Sequence, residues 1–162
     1  MSSPYRSLLE ALRVHCNLPE FPNPLPSEQL VLELKNGSSI SIDFNEESSM
    51  VVLFAEIATY SPEDELAVLS KIAEANFLWA ATSGSTLSAR PEIQTIYLAQ
   101  QFAVNLLEGA AFIKLVEEFV QVVQQWKTIV EKTFSSNSSS SEQEETKNIV
   151  QDAEIINPSE LS

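Results

Sequence analysis

Apolar and polar residues alternate most cleanly across residues 30–44. Leu30, Leu32 and Leu34 fall on every second position, as do Ile40, Ile42 and Phe44, and a period of two places each set on one face of a strand. Between the two sets, Asn36-Gly37 supplies the positive φ angles of a tight turn, so the segment predicts a β-hairpin. The next run, MVVLFAEIA, is apolar on both faces and reads as an internal strand, with Glu56 the acid placed closest to a core position. Upstream, Tyr5, Leu8, Leu9, Leu12 and Cys16 recur at helical spacing. That first amphipathic helix ends before NLPEFPNPLPSEQ, whose prolines at 19, 22, 24 and 26 forbid regular structure.

Ser61-Pro62-Glu63-Asp64 has the make-up of a helix start: a capping hydroxyl, a proline suited to the first turn, and acids that complement the helix dipole. The predicted second helix runs through ELAVLSKIAEANFLWAAT to near Gly84. Leu66, Ala73 and Phe77 would pack on the sheet, while Leu69, Ile72, Leu78 and Trp79 are surplus apolar residues that call for a partner. Thr86 to Arg90 and Ile93 to Phe102 form two short strands interrupted at Pro91. Asn105 with Glu108 resembles a capping box and opens a last helix to Phe134, with Leu106, Ala110, Ile113, Val116, Val120, Val123 and Val130 as its apolar stripe.

The order α-β-β-β-α-β-β-α predicts one α/β (α+β) domain over residues 1–134, an antiparallel sheet packed by helices. After Phe134 the composition changes to a serine run followed by six acids and one lysine. Residues 135–162 therefore read as a flexible acidic Ser/Glu-rich tail. A short interaction motif within it would lie in NIVQDAEII.

Charge narrows the function. The 162-residue chain carries a net charge of −14, with no basic stripe to displace counterions from a nucleic acid and none to seat an anionic membrane. No run of 18 apolar residues occurs, and the first residues lack a basic leader followed by an apolar core, so neither a membrane span nor a secretory signal is expected. A lone cysteine, Cys16, fits a reducing compartment, and the expected location is the cytoplasm.

Candidate chemistry is sparse. The single histidine, His15, adjoins Cys16; neighbours on a helix point about 100° apart and do not form a nucleophile–base pair. Zinc would need more such ligands at recognisable spacing. Glycine occurs only at 37, 84 and 109, too few for a phosphate-cradling loop or a calcium loop. The residues predict no enzyme, no metal and no cofactor, but a protein that binds proteins.

Three segments resemble the class I type III secretion chaperones, the Tir chaperone family, over roughly residues 5–132. AEIATYSPEDELAVLSKIAEANFLWAATSGSTLSA is similar to the family's third strand, capped second helix with an asparagine midway (Asn76), and glycine turn into an interface strand. EIQTIYLAQQF resembles its fifth strand, and LLEGAAFIKLVEEFVQVVQQWKTIVE its last helix, with Trp126 near the end. The resemblance implies a cytoplasmic bacterial virulence chaperone, a homodimer or occasionally a heterodimer. Such a protein holds the N-terminal part of a secreted effector in extended form, keeps it soluble and delivers it to the export apparatus. It implies a dimer interface of Leu69, Ile72, Leu78, Trp79 and Leu87. It also implies effector contacts on the first helix and the sheet, where the candidates are Leu8, Leu9, Leu12, Ile40, Ile42 and Phe44. The competing readings are a non-secretory protein-binding adaptor of the same fold and, less in keeping with the residues, a small enzyme.

Overall fold

The computed structural model describes residues 4–21, 29–134 and the backbone of 154–156. In chain order the elements are α1 (Pro4–Cys16), β1 (Gln29–Glu33), β2 (Ser39–Asn45), β3 (Met50–Thr59), α2 (Glu65–Asn76), β4 (Thr86–Arg90), β5 (Thr95–Ala103), α3 (Gly109–Phe134) and β6 (Glu154–Ile156). The predicted α-β-β-β-α-β-β-α order is present, and a short final strand follows it. The strands form one sheet in the order β4-β5-β3-β2-β1-β6. Most of the proline-rich connection and of the acidic tail lies outside the described residues.

Two compact units divide the chain, one drawn from Met1–Leu53, Gln101–Glu117 and Glu145–Ser162, the other from Phe54–Gln100 and Glu118–Glu144.

In the first unit, α1 buries the stripe expected of it, Tyr5, Leu8, Leu9, Leu12 and Cys16. Asn17 ends the helix in the left-handed region, with φ 53°. Its N–H bonds to the Val14 carbonyl at 3.3 Å and the Leu18 N–H to the Arg13 carbonyl at 2.9 Å, the paired closing bonds of a Schellman motif. β1 and β2 pair antiparallel, with Leu30 opposite Ile42 and Leu32 opposite Ile40. Their turn differs from the two-residue type the Asn-Gly pair suggests. The Gly37 N–H bonds back to the Leu34 carbonyl at 2.9 Å and the Leu34 N–H to the Ser38 carbonyl at 2.7 Å. Only Gly37 takes a positive φ, 77°, making a three-residue loop with glycine at its left-handed position. Gly109 opens α3 where a Cβ would meet the Ala11 methyl at 2.7 Å, so glycine is what lets α3 start this close to α1.

In the second unit, β4 and β5 pair antiparallel with Leu87 opposite Leu98. The core gathers Ile57, Tyr60, Val68, Leu87, Ile96, Leu98, Phe119, Val123 and Trp126. Glu56 is exposed, so the acid in the third strand alternates outward and is not in the core. The second helix stops at Asn76, short of Gly84, and a 3-10 turn of Phe77–Trp79 follows. α3 begins at Gly109 and not at Asn105; Val104–Leu106 is a separate 3-10 turn and Leu106 stands exposed.

Candidate protein-binding surfaces

The second unit carries the clearest unsatisfied apolar surface. Of the twelve residues of α2, only Val68 and Ala75 are buried. Leu66 is 79 % exposed, Phe77 73 %, Leu78 72 % and Trp79 53 %, with Leu69 and Ile93 also exposed. Leu66, Ala73 and Phe77, expected to pack on the sheet, are all exposed. The buried face of the helix is that of Val68 and Ala75, and the helical phase breaks after Asn76, where Leu78 has φ 54° and Trp79 φ 52°. A bulky side chain in that region costs about 1–3 kcal/mol, so the turn has to be held by its surroundings. The Trp79 carbonyl accepts from the Thr82 N–H at 3.2 Å and the Gly84 N–H at 3.3 Å. Buried Thr82 donates its hydroxyl to the Ser85 carbonyl at 2.5 Å, and the Trp126 indole N–H to the Ala81 carbonyl at 3.1 Å.

Asn76 sits at the end of α2, not midway along it, and that position is its use. Its side-chain amide donates to the Leu87 carbonyl and its side-chain oxygen accepts from the Leu87 N–H, each at 2.9 Å. In an antiparallel strand every second residue aims its N–H and C=O away from the partner. On β4, an outermost strand of the sheet, Leu87 is such a residue, and the carboxamide occupies its outward groups. The Leu87 side chain is itself buried, so within the expected interface set it contributes backbone placement, while Leu69, Leu78 and Trp79 present side chains and Ile72 is half-buried.

The residues proposed for client contact lie differently. Leu8, Leu9, Leu12, Ile40 and Ile42 are buried and Phe44 is half-buried. Tyr5 stacks on Phe44, ring centroids 4.4 Å apart and planes 14° from parallel. The helix stripe and the hairpin face, taken as two free surfaces, are thus inward faces that meet at this ring pair. A period-of-two or period-of-3.6 pattern identifies an apolar face but not which side of it is covered. Among the described residues of the first unit, the large apolar side chains left exposed are Val14 and Leu106.

At the other end of the sheet, β6 pairs antiparallel with β1: Val31 opposite Ile156, Leu32 opposite Ile155 and Glu33 opposite Glu154. These three residues come from NIVQDAEII, the stretch of the tail singled out as a motif.

His15 and Cys16 do not assemble a reactive pair. His15 Nε2 lies 3.0 Å from the Glu117 carboxylate. Cys16 is buried, and burial, with the Glu117 charge adding to it, pushes its thiol up to about 11, away from the thiolate a nucleophile needs. Among the described residues no cluster of three or more His, Cys, Asp or Glu side chains is placed to hold a metal ion, and no helix is long and apolar enough to cross a membrane.

A mixed sheet-and-helix domain with an exposed apolar helix, an outermost strand capped by an asparagine and a short strand laid on the opposite edge has the architecture of a protein-binding module. The chain belongs to the Tir chaperone protein (CesT) family, whose model matches residues 7–127. No curated protein matches it significantly in sequence. Among solved structures it is similar in fold to a chain of the HopA1–SchA chaperone–effector complex, at 9 % identity and TM-score 0.60 over 77 % of this chain and 94 % of that one. It is also similar to a chain of the Yersinia pestis type III secretion chaperone SycH in complex with a YscM2 fragment, at 16 % identity and TM-score 0.58 over 76 % and 98 %. A chain of the Pseudomonas aeruginosa ExoU–SpcU heterodimeric complex gives 14 % identity and TM-score 0.59 over 76 % and 98 %.

Proposed function

We infer that the protein is a type III secretion chaperone that binds the N-terminal region of one or more effectors in extended form and keeps them soluble and secretion-competent. The observation that carries this reading is the family match across residues 7–127; the likeness to a chain of a chaperone–effector complex and to a type III secretion chaperone structure supports it. The role is binding without catalysis, in the bacterial cytoplasm, ending in delivery to the export apparatus. The net charge of −14 keeps a surface with exposed apolar side chains from self-association beyond its specific contacts.

The working form is a homodimer built on α2 and the Phe77–Trp79 turn. Burying an apolar side chain of this size contributes roughly 1.5–3 kcal/mol. Leu66, Leu69, Phe77, Leu78 and Trp79 together therefore match the roughly 4–15 kcal/mol that association costs in lost freedom. Residues 1–134 act as the chaperone domain, with 135–162 appended.

Co-purification from the native host followed by limited proteolysis tests the reading. A chaperone protects one contiguous N-terminal stretch of an otherwise cleavable secreted protein. Recovery of a fully folded partner with no protected extended segment would favour an adaptor and overturn it.

A further inference from the structure

We propose that the β1 edge is a strand-accepting site which the chain's own Glu154–Ile156 fills reversibly, and from which an extended client segment displaces it. The proposal rests on the chaperone reading for the identity of the client, but not for the self-strand. Without β6, β1 would end the sheet and present a row of unpaired N–H and C=O groups, the template for strand addition. The chain covers that edge itself, and does so sparingly. β6 has three residues against the five pairs joining β1 to β2.

Such a strand stays in place because it is tethered. Joined to α3 through residues 135–153, it acts at an effective concentration of order millimolar, enough to keep a weak strand seated yet open to competition. A client that pairs along the whole of β1 makes more ladder bonds than the three-residue strand and displaces it. The tail then works as a place-holder that shields the edge until such a segment arrives, and it lowers client affinity by the fraction of time it is bound.

The probe is a fluorescent peptide of residues 148–158, NIVQDAEIINP, titrated by anisotropy into the full-length protein and into full-length Ile156→Pro, which loses an N–H that faces β1 opposite Val31. The variant should fold and bind the peptide about tenfold more tightly than the wild type, as expected when a seated strand leaves about a tenth of sites open. Equal binding to both proteins, or none to the variant, overturns the proposal. So does unfolding of the variant, which would make β6 an integral strand. Hydrogen exchange in the wild type gives an independent reading: the Glu154 and Ile156 amides, which face β1, should exchange faster than the paired amides of β2, and equal rates also overturn it. Because the peptide is the chain's own, its failure leaves the co-purification result standing, and an empty co-purification leaves the peptide result standing.

Discussion

The carboxamide of Asn76 makes both hydrogen bonds that a neighbouring strand would make to Leu87, donating to its carbonyl and accepting from its N–H at 2.9 Å each. One side chain thereby closes α2, fixes the helix end against β4 and takes up part of a sheet edge. Asn76→Ala leaves both Leu87 groups without that partner, and a buried polar group left unpaired costs about 1–3 kcal/mol. Urea denaturation should show a loss of that size. Asn76→Asp, which keeps the acceptor but not the donor, should be little better, and a variant as stable as the wild type would show that water serves Leu87 equally well.

Trp79→Glu should convert a dimer into a folded monomer. The side chain is half-exposed in the protomer, so the charge does not disturb the core, but it would be buried without a partner at an interface. Sedimentation at micromolar concentration checks this; a wild type that sediments as a monomer refutes the α2 interface.

Leu12→Ala should cost about 2–5 kcal/mol, the usual range for truncating a fully buried leucine, and Leu12→Asp should leave the chain largely unfolded by circular dichroism. Leu12 is completely buried. Retention of native dichroism with loss of client binding would return α1 to the client surface.

Gly109→Val should destabilise by about 1–3 kcal/mol, the range for overpacking, because the added Cβ would lie 2.7 Å from the Ala11 methyl. The paired change Ala11→Gly with Gly109→Ala should recover more stability than Gly109→Ala alone if the close approach is the cause.

Cys16 should resist alkylation at pH 8 in the native protein and react on unfolding. Its thiol is raised from 9.0 to about 11, chiefly by burial. A raised pKa means the folded state prefers the protonated form. The contribution to stability is complete below about pH 9 and is lost as the pH rises toward 11. Cys16→Ala should accordingly show a flatter stability curve across that window.

The alternating hairpin, the α1 stripe and the order of elements were legible because each depends on a local period or a turn residue. The end of α2 was not. ELAVLSKIAEAN and FLWAAT form one apolar run by composition, and the break comes from a distant partner: Asn76 finds Leu87 on β4 and the chain turns there. The burial of the residues expected to meet a client was not legible for a related reason. Tyr5 and Phe44 lie far apart in sequence, and nothing in either pattern announces that their faces cover each other. β6 escaped detection because three residues are too few for a period, and their pairing is supplied by β1.

The two tryptophans of the chain stand in opposite circumstances. Trp126 is buried with its indole N–H bonded to Ala81, while Trp79 projects from the neighbouring turn. The protein is therefore equipped with two intrinsic fluorophores of separable meaning. The blue-shifted emission of Trp126 follows unfolding, and the red-shifted emission of Trp79 follows whatever covers α2. Single replacement of either by phenylalanine would let assembly and folding be watched independently, with no dye attached.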